Sequence, residues 1–331
     1  MRESACSIES IAEAVRKYDG VKRKLAIGSL VRELKISADH VIASFGEDAA
    51  VIADTGDDVL LLAADGIWSR LMEVDPYWAG YCSILVNIHD IAAMGGRPIA
   101  LVDILSMRDS EIGKLVTKGM YDASKQFGVP VVGGHVHPDA DVDSIGVAVL
   151  GRAKRDSVIY SSTAEKGDVI IAAYDLRGRV HPSSRLNWDS VTMKDAAVLR
   201  AQIAIMQELG ERKLVTAGKD VSNPGLLGTL GMLLEVSRMG AVVDVELIPC
   251  PSLAEHGLTL AQWVMMYPGM GFIMTARREC AEEVLSCFSS VSMDAAVIGE
   301  VNASQTLEIR CGDSSAQIFD FAHDDVTGIG R

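Results

Sequence analysis

The 331-residue sequence is poor in basic residues and has no long apolar run. Its 31 Lys and Arg against 45 Asp and Glu give a formal net charge of −14 at pH 7. No basic block stands out to neutralise phosphates, so the sequence predicts neither a nucleic-acid partner nor an anionic membrane surface. No apolar segment approaches the ~20 residues needed to span a bilayer. A polyphosphate bound to so acidic a protein would need metal ions as counter-charge.

The sequence also lacks paired cysteines. Its six cysteines are scattered without a CxxC spacing, so neither a zinc ribbon nor a disulfide framework is expected. The N-terminal residues lead into an acidic amphipathic stretch and do not resemble a signal peptide. Both features favour reduced thiols and a cytoplasmic location.

The standard signatures of nucleotide-binding proteins and hydrolases are missing as well. The chain has no GxxxxGK[ST] loop, no GxGxxG segment after a predicted strand, no GxSxG turn and no HExxH helix. These absences argue against a P-loop NTPase, a Rossmann dehydrogenase, an α/β-hydrolase and a zincin metalloprotease. Nucleotide chemistry in this chain would need a different arrangement of residues.

Length and periodicity predict two domains. A chain of 331 residues exceeds a usual single core, and its 49% hydrophobic residues are enough to fill two. Strand and helix patterns alternate in both halves, which predicts α/β (α+β) domains. A polar stretch with a basic patch lies at 151–168, so we expect one domain at 1–152 and a second at 153–331.

The clearest predicted helix begins at Asp75-Pro76 and ends at Gly95-Gly96. Asp can cap the first turn, Pro is tolerated at the first helical position, and Gly terminates helices. Asn87 and Asp90 are three residues apart and share a helical face offset from the apolar stripe. We therefore expect Asp90 to face a cleft or solvent. Other patterns predict a helix over 110–127 and strands over 59–64, 129–132 and 214–217.

Acidic residues recur at strand ends and beside glycines along the chain. Each one alone could cap a turn or be solvated, and only the ordered set points to a site. Carboxylate oxygens are the ligands that Mg²⁺ prefers, together with water and substrate phosphates. The set comprises Glu47, Asp48, Asp65, Asp90 and Asp220.

In their order along the chain, these segments resemble motifs of the aminoimidazole-ribonucleotide (AIR)-synthetase-like superfamily. The segment EDAAV at 47–51 resembles the family's DDAAV, AD at 64–65 resembles its TD, and DVSNPGLLG at 220–228 matches its DVTGFGLLG in outline. The segments at 87–98 and 133–135 match the family's NxxDxxAMGGxP and GGH. Thiamine-monophosphate kinase and selenophosphate synthetase carry such motifs. The likeness is greatest to the methanogenesis-marker AIR-synthase-like proteins, through 63–68, 75–82, 134–139 and 220–225.

The resemblance implies ATP and Mg²⁺ as cofactors and phosphoryl transfer to a small-molecule acceptor that it does not identify. It also implies a homodimer in which the N-terminal domains form a β-barrel, each beside a C-terminal mixed α/β domain that covers the ATP site. The implied metal ligands are Glu47, Asp48, Asp65, Asp90 and Asp220. The implied cofactor-binding residues are Asn87, Gly133, Gly134 and Asp220, and the implied catalytic residues are Asp48, Asp65 and His135.

Several alternatives stay open at the level of sequence. His135 and His137, with the acids that follow them, could form a transition-metal site or a polar strand end. The segment Arg177–Pro182 could bind an anionic substrate or form a solvated turn, and Lys194 and Lys219 are weaker candidates for the same role. The chain lacks the Gly-rich N-terminal loop of selenophosphate synthetase. A catalytically silent nucleotide-binding subunit that assists assembly of another enzyme is therefore the alternative function.

Overall fold

The computed structural model describes residues 7–34 and 36–329, and two large sheets dominate it. The first sheet has six strands in the order β1-β2-β3-β6-β4-β5. All neighbours in it are antiparallel except β4 and β5, which are parallel. Its strands are β1 Val41–Ala43, β2 Ala50–Ala53, β3 Asp58–Ile67, β4 Arg97–Ser106, β5 Val131–His137 and β6 Ser144–Lys154.

The second sheet has seven strands in the order β10-β12-β7-β13-β11-β14-β15, and β8 and β9 form a separate hairpin. The strands are β7 Val169–Tyr174, β8 Arg179–His181, β9 Ser184–Asp189, β10 Ala217–Asp220, β11 Gly240–Asp244, β12 Gly271–Ala276, β13 Asp294–Asn302, β14 Thr306–Cys311 and β15 Ser314–Asp320. All six residues of β7 and of β12 are buried, as expected for strands in the middle of a covered sheet.

Ten α-helices are described. They are α1 Ile8–Lys17, α2 Asp19–Lys22, α3 Ala26–Leu34, α4 Ser69–Val74, α5 Pro76–Ala93, α6 Ser110–Phe127, α7 Ala196–Glu211, α8 Gly225–Ser237, α9 Leu260–Trp263 and α10 Ala281–Ser290. Short 3₁₀ helices occur at Arg23–Leu25, Arg155–Ser157, Val245–Leu247 and Arg278–Cys280.

Helix α5 is the central helix of the molecule. Its first turn is capped as predicted, because the Asp75 carboxylate accepts a hydrogen bond from the Trp78 amide at 2.9 Å. Fifteen of its 18 residues are buried, so burial extends well beyond the apolar stripe that the sequence predicts. The reason is tertiary, because α5 packs on both halves of the molecule. It contacts β3, β6 and α6 of the first unit, which is built on the first sheet, and α7 and β10 of the second unit, which is built on the second sheet.

The N-terminal helix belongs spatially to the second unit, although the sequence division groups it with the first. Ile8, Ile11 and Val15 are buried in the same core as Leu230 and Phe319. Arg16 also donates a hydrogen bond to the Gln317 carbonyl on β15. The boundary at residue 152 itself stays a prediction.

The first sheet is open, and one of its faces is apolar and uncovered in the single chain. Helices α5 and α6 cover the other face. Leu62, Leu150, Val102 and Ile104 alternate with the buried residues of β3, β6 and β4 and are exposed. The dimeric barrel therefore stays a prediction.

Two strand predictions were displaced along the chain. The strand predicted at 129–132 begins at Val131 and runs to His137, so Gly133, Gly134 and His135 lie inside β5. The strand predicted at 214–217 is β10, which ends on Asp220. Both segments contain Gly or polar residues, which lower strand propensity locally, and pairing with β4 and β12 decides the outcome. Helix α6 was predicted with the observed bounds.

Within the described residues, no helix has both the length and the apolar character that crossing a membrane requires.

The crossing of α5 and α6 gives a test of the fold. A Cβ added at Gly119 would lie 2.0 Å from the Tyr77 carbonyl oxygen of α5. We expect Gly119→Ala to lower the free energy of unfolding by ~1–3 kcal/mol, which is the usual cost of overpacking. Urea denaturation measures this change.

Gly113→Ala in the same helix is the matched control. A Cβ there would meet only the flexible end of Met107, at 2.3 Å. Because that side chain can move, the helix-propensity gain of about 1 kcal/mol should offset most of the cost. Equal destabilisation by the two substitutions would contradict the close crossing of α5 and α6.

Candidate active site

Three carboxylates from distant parts of the chain converge where the two units meet. Asp48 precedes β2, Asp90 lies in the last turn of α5, and Asp220 ends β10. One oxygen of each lies within 4.8 Å of the others. Among the described residues, this is the only group of His, Cys, Asp and Glu with the geometry to hold a metal ion. All three residues were predicted from the sequence as metal ligands.

The cluster forms one wall of a cavity of about 210 Å³. Glu47 and Asp65 also line this cavity, so the five acids singled out from the sequence share it. Asp65 lies near the end of β3, outside the three-carboxylate cluster. The cavity wall also includes two lysines, Lys24 and Lys219.

The concentration of negative charge alters the titration of the cluster. Burial, followed by the charge of Asp48, raises the pKa of Asp220 to about 8. Burial also raises the pKa of Asp90 well above its ordinary value, with the charges of Asp65 and Asp220 adding to the rise. A bound cation would favour the charged carboxylates and reverse these shifts.

Lys219 provides part of the opposing charge from the protein. Its ammonium donates hydrogen bonds to Asp48 Oδ1 and, at 3.2 Å, to Ser161 Oγ. Burial alone would lower the pKa of Lys219, but the adjacent Asp48 carboxylate outweighs it and the net shift is upward. The other oxygen, Asp48 Oδ2, is buried and has no hydrogen-bond partner among the described residues. Carboxylate donors with an unpartnered buried oxygen fit a Mg²⁺ ion.

Glu47 and Asn87 occupy different surroundings from those of the cluster. Both Glu47 oxygens accept hydrogen bonds from the second unit, one from the Ser161 amide and one from Ser162 Oγ, the latter at 2.6 Å. Asn87 is fully buried, and its Nδ2 donates to the Ser83 carbonyl at 2.8 Å. It does not line the cavity. The helical spacing predicted that Asn87 and Asp90 share a face of α5. In the structure the Asn87 side chain is instead buried in the core.

The structure does not bring Gly133, Gly134 and His135 to the carboxylates within one chain. Gly134 on β5 lies opposite Asp103 on β4. Asp103 in turn lies opposite Val147 on β6, and Val147 lies opposite Asp65 on β3. Three strand spacings of about 4.8 Å separate Gly134 from Asp65 by roughly 14 Å. Because side chains alternate along a strand, His135 points to the opposite, apolar face, beside Ile104.

The possible histidine metal site gains no support from the described residues. The rings of His135 and His137 pack edge to face with centroids 4.6 Å apart. They belong to no group of three ligand side chains in the described part of the chain. The structure thus favours a polar strand end over a transition-metal site.

A larger cavity of about 640 Å³ adjoins the acidic one, and Lys24, Asp65 and Ser222 line both. Its cationic residues include Arg23, Arg70 and Arg185, which sequence reasoning missed. The predicted anion-binding arginines are instead paired, Arg177 with Asp175 and Asp294, and Arg179 with Asp189. Lys194 pairs with Asp175 at 2.6 Å.

The C-terminal segment closes one side of the acidic cavity, and this too was not foreseen. Thr327 and Ile329 line the cavity. The carboxylate of Glu235 on α8 accepts hydrogen bonds from the amides of Val326 and Thr327, both at 2.9 Å, and of Gly328 at 3.2 Å. Glu235 is the one charged residue of α8, and this isolated charge is the sequence feature that could have indicated its role.

Relatives of this chain span nearly its whole length. An uncharacterised protein of Methanocaldococcus jannaschii is 44% identical over 326 residues, which cover 97% of this chain and 99% of that protein. An uncharacterised protein of Synechocystis is 38% identical and covers 93% of each chain. Phosphoribosylformylglycinamidine synthase subunit PurL of Methanopyrus kandleri is 26% identical over 86% of this chain and 42% of its own.

Solved structures share the fold. Thermotoga maritima PurL complexed with ADP superposes with a TM-score of 0.74 at 18% identity, covering 94% of this chain and 52% of PurL. This chain therefore spans about half the length of that protein. A ThiL protein complexed with AMPPCP and TMP superposes with a TM-score of 0.66 at 17% identity, covering 89% of this chain and 96% of its own.

Family profiles cover most of the chain. The profile of the AIR synthase related protein N-terminal domain matches residues 46–153, and that of the C-terminal domain matches residues 156–312. The motifs that suggested the superfamily lie within these two ranges. The chain belongs to the AIR synthase related protein family.

Proposed function

We propose that this protein binds ATP with Mg²⁺ and transfers a phosphoryl group to a small-molecule acceptor. The cluster of Asp48, Asp90 and Asp220, with the unpartnered Asp48 Oδ2, is the observation that carries the proposal. The ADP complex of PurL and the AMPPCP complex of ThiL, which have the same fold, support a nucleotide ligand. When bound, Mg²⁺ would neutralise the charge on the phosphates.

The position of each residue suggests its role in the proposed site. Asp48, Asp90 and Asp220 would hold the metal, and Lys219 fixes the orientation of Asp48. Glu47 supports the segment that carries Asp48 through its bonds to the second unit. Asn87 supports α5 from within the core.

Asp65 and Lys24 lie where the two cavities join, which suits them to the transfer step. Burial raises the pKa of Asp65, with Lys24 opposing the rise and Asp48 adding to it. We propose that Asp65 accepts the proton of the acceptor group. The acceptor atom then bonds to the γ-phosphorus, the bond to the β,γ-bridging oxygen breaks, and ADP leaves. Lys24 would face the charge that develops on the phosphoryl oxygens.

A second copy of this chain would cover the apolar face of the first sheet. That face presents Leu62, Leu150, Val102 and Ile104, and an identical face is complementary to it in apolar character. Gly133 and His135 point to the same side, next to Val102 and Ile104. The proposed dimer would place Gly133 and His135 at the subunit interface, and a role of Gly133, Gly134 and His135 in the site stays a prediction.

A magnesium requirement, a cytoplasmic location and a link to methanogenesis stay predictions. The relative in Synechocystis indicates that the group is not confined to methanogens. The comparisons do not favour the silent nucleotide-binding subunit, and the first experiment below separates it from an ATP-using enzyme.

Calorimetric titration of ATP tests the proposed site. We expect binding only with Mg²⁺, and at least a tenfold loss of affinity in Asp90→Asn because one metal ligand loses its charge. Asp57→Asn is the matched control, since Asp57 lies exposed in the β2–β3 turn and lines neither cavity. Unchanged affinity in Asp90→Asn would exclude the cluster. ATP binding without phosphoryl transfer to any metabolite pool would favour the silent subunit.

Removal of one acid should stabilise the metal-free protein. Asp220→Asn removes a carboxylate whose charged form is disfavoured by burial and by Asp48 and Asp65. At pH 8 in EDTA, we expect its free energy of unfolding to rise by roughly 1 kcal/mol, because the substitution removes repulsion that destabilises the metal-free site. Mg²⁺ should raise the melting temperature of the wild type and of Asp57→Asn but not of Asp220→Asn. A less stable metal-free Asp220→Asn would contradict this account.

Sedimentation velocity tests the dimer. We expect the wild type to sediment at twice the chain mass of 35.4 kDa and Ile104→Glu to sediment as a monomer, because the new charge would be buried at the apolar face. Leu115→Glu is the control, since Leu115 is similarly exposed but lies on α6, which covers the opposite face of the sheet. A monomeric wild type would refute the dimer.

A further inference from the structure

The larger cavity has walls from several separate parts of the chain. They include the segment from α2 to the start of α3, the corner between β3 and α4, the β8–β9 hairpin, and the segments beside β10 and β12, and α5 adds Cys82 and Val86. Its volume of about 640 Å³ is in the range of small-molecule sites. It is therefore large enough for a metabolite next to the acidic cavity.

Cationic side chains outnumber acidic ones in the lining of this cavity. Arg23, Lys24, Arg70 and Arg185 line it, against two acids, Asp19 and Asp65. Within the described residues, none of the four cations forms an ion pair with a carboxylate. The chain carries a net charge of −14, so carboxylates are plentiful elsewhere. Unpaired cations on a concave wall favour an anionic ligand.

Trp68 holds two of these cations in place before a ligand binds. The guanidinium of Arg23 lies 4.1 Å from the ring centroid of Trp68, and that of Arg70 lies 5.6 Å from it. Such stacking limits the freedom of both side chains without using their N–H donors. Those donors can therefore make paired hydrogen bonds to a phosphate or a carboxylate.

The β8–β9 hairpin brings Arg185 to the same cavity and is anchored to the first unit. Ser183 Oγ donates to Asp75 Oδ2 at 2.8 Å, and the His181 ring stacks on Trp78 with centroids 4.4 Å apart. The only hydrogen bond described for the Arg185 guanidinium is a long one, 3.4 Å, to the Gly257 carbonyl. The remaining donors of Arg185 are available to a ligand.

Apolar side chains form another part of the lining. Ile67, Leu71 and Val74 come from the β3–α4 region, and Val86 from α5. A ligand that satisfies both parts of the wall has a charged head and an apolar body. Asp65 and Lys24 lie on the border with the acidic cavity, which would place the reactive group of such a ligand next to the phosphates.

We infer that the larger cavity binds the acceptor, and that the acceptor is a small molecule with a phosphate or carboxylate head and an apolar body. Arg23, Arg70 and Arg185 bind the head, and Trp68 positions the first two. That the ligand of this cavity is the acceptor rests on the proposed phosphoryl transfer. The anion site itself is defined by the cavity alone and can be tested without ATP.

Three probes of similar shape test the anion site: phenyl phosphate, benzoate and neutral benzamide. Their binding to the full-length protein is measured by ligand-observed NMR titration without nucleotide. We expect phenyl phosphate or benzoate to bind and benzamide not to bind. The preferred anion distinguishes a phosphate head from a carboxylate head. Failure of both anions to bind, or equal binding of benzamide, would overturn the inference.

The double substitution Arg23→Gln with Arg70→Gln should weaken binding of the preferred anion at least tenfold. Arg155→Gln is the control, because Arg155 is exposed and lines neither cavity. Restoring charge in the double variant Arg23→Lys with Arg70→Lys should recover part of the affinity, which separates loss of binding from misfolding. Unchanged affinity in the glutamine variant would refute the assignment.

Calorimetry with Mg²⁺ and ATP on the same variants separates this inference from the proposed function. We expect the glutamine variant to bind Mg-ATP as the wild type does. Competition between the anionic probe and Mg-ATP would show that the larger cavity holds nucleotide, which would overturn the inference. Loss of ATP binding in every protein, with anion binding intact, would refute the phosphoryl transfer and leave the anion site standing.

Discussion

Mutual repulsion among closely spaced carboxylates is the constraint around which this molecule is arranged. Asp48, Asp90 and Asp220 approach within 4.8 Å of one another, and Lys219 is the cation that contacts the group directly. Burial and like charge together disfavour the ionised forms, as the raised pKa values of Asp90 and Asp220 show. Such a cluster reduces the stability of the free protein unless other contacts offset it. The fold therefore has to hold the three acids together by packing that is independent of them.

Helix α5 provides that packing. It is buried between the two sheets and contacts β3 and β6 on one side and β10 on the other. Asp90 sits in its last turn, close to Asp48 before β2 and to Asp220 at the end of β10. Hydrogen bonds of Glu47 to Ser161 and Ser162 join the two units beside the cluster. The acids are thus fixed by a rigid helix and by strand ends, which suits a site that binds a metal ion in a defined geometry.

Two adjoining cavities of opposite charge result from this arrangement. The acidic one is suited to cations and, through them, to phosphates, whereas the larger one is lined by arginines and apolar side chains. Asp65 and Lys24 lie at the border. Separation of charge over this short distance allows two anionic ligands to lie side by side, because each meets its own counter-charge.

The sequence alone determined the features that depend on local chemistry. The bounds of α6, the capped start of α5 at Asp75 and the acids that line the cavity could all be recognised from residue type and order, because capping, periodicity and motif spacing are local properties. Tertiary structure decided the rest. Asn87 turned into the core because α5 is covered on both sides, and His135 faces away from Asp65 because strand pairing fixed its side of the sheet. Arg23, Arg70 and Arg185 form one wall only after distant segments pack together, and no local pattern records which unpaired cations will share a cavity.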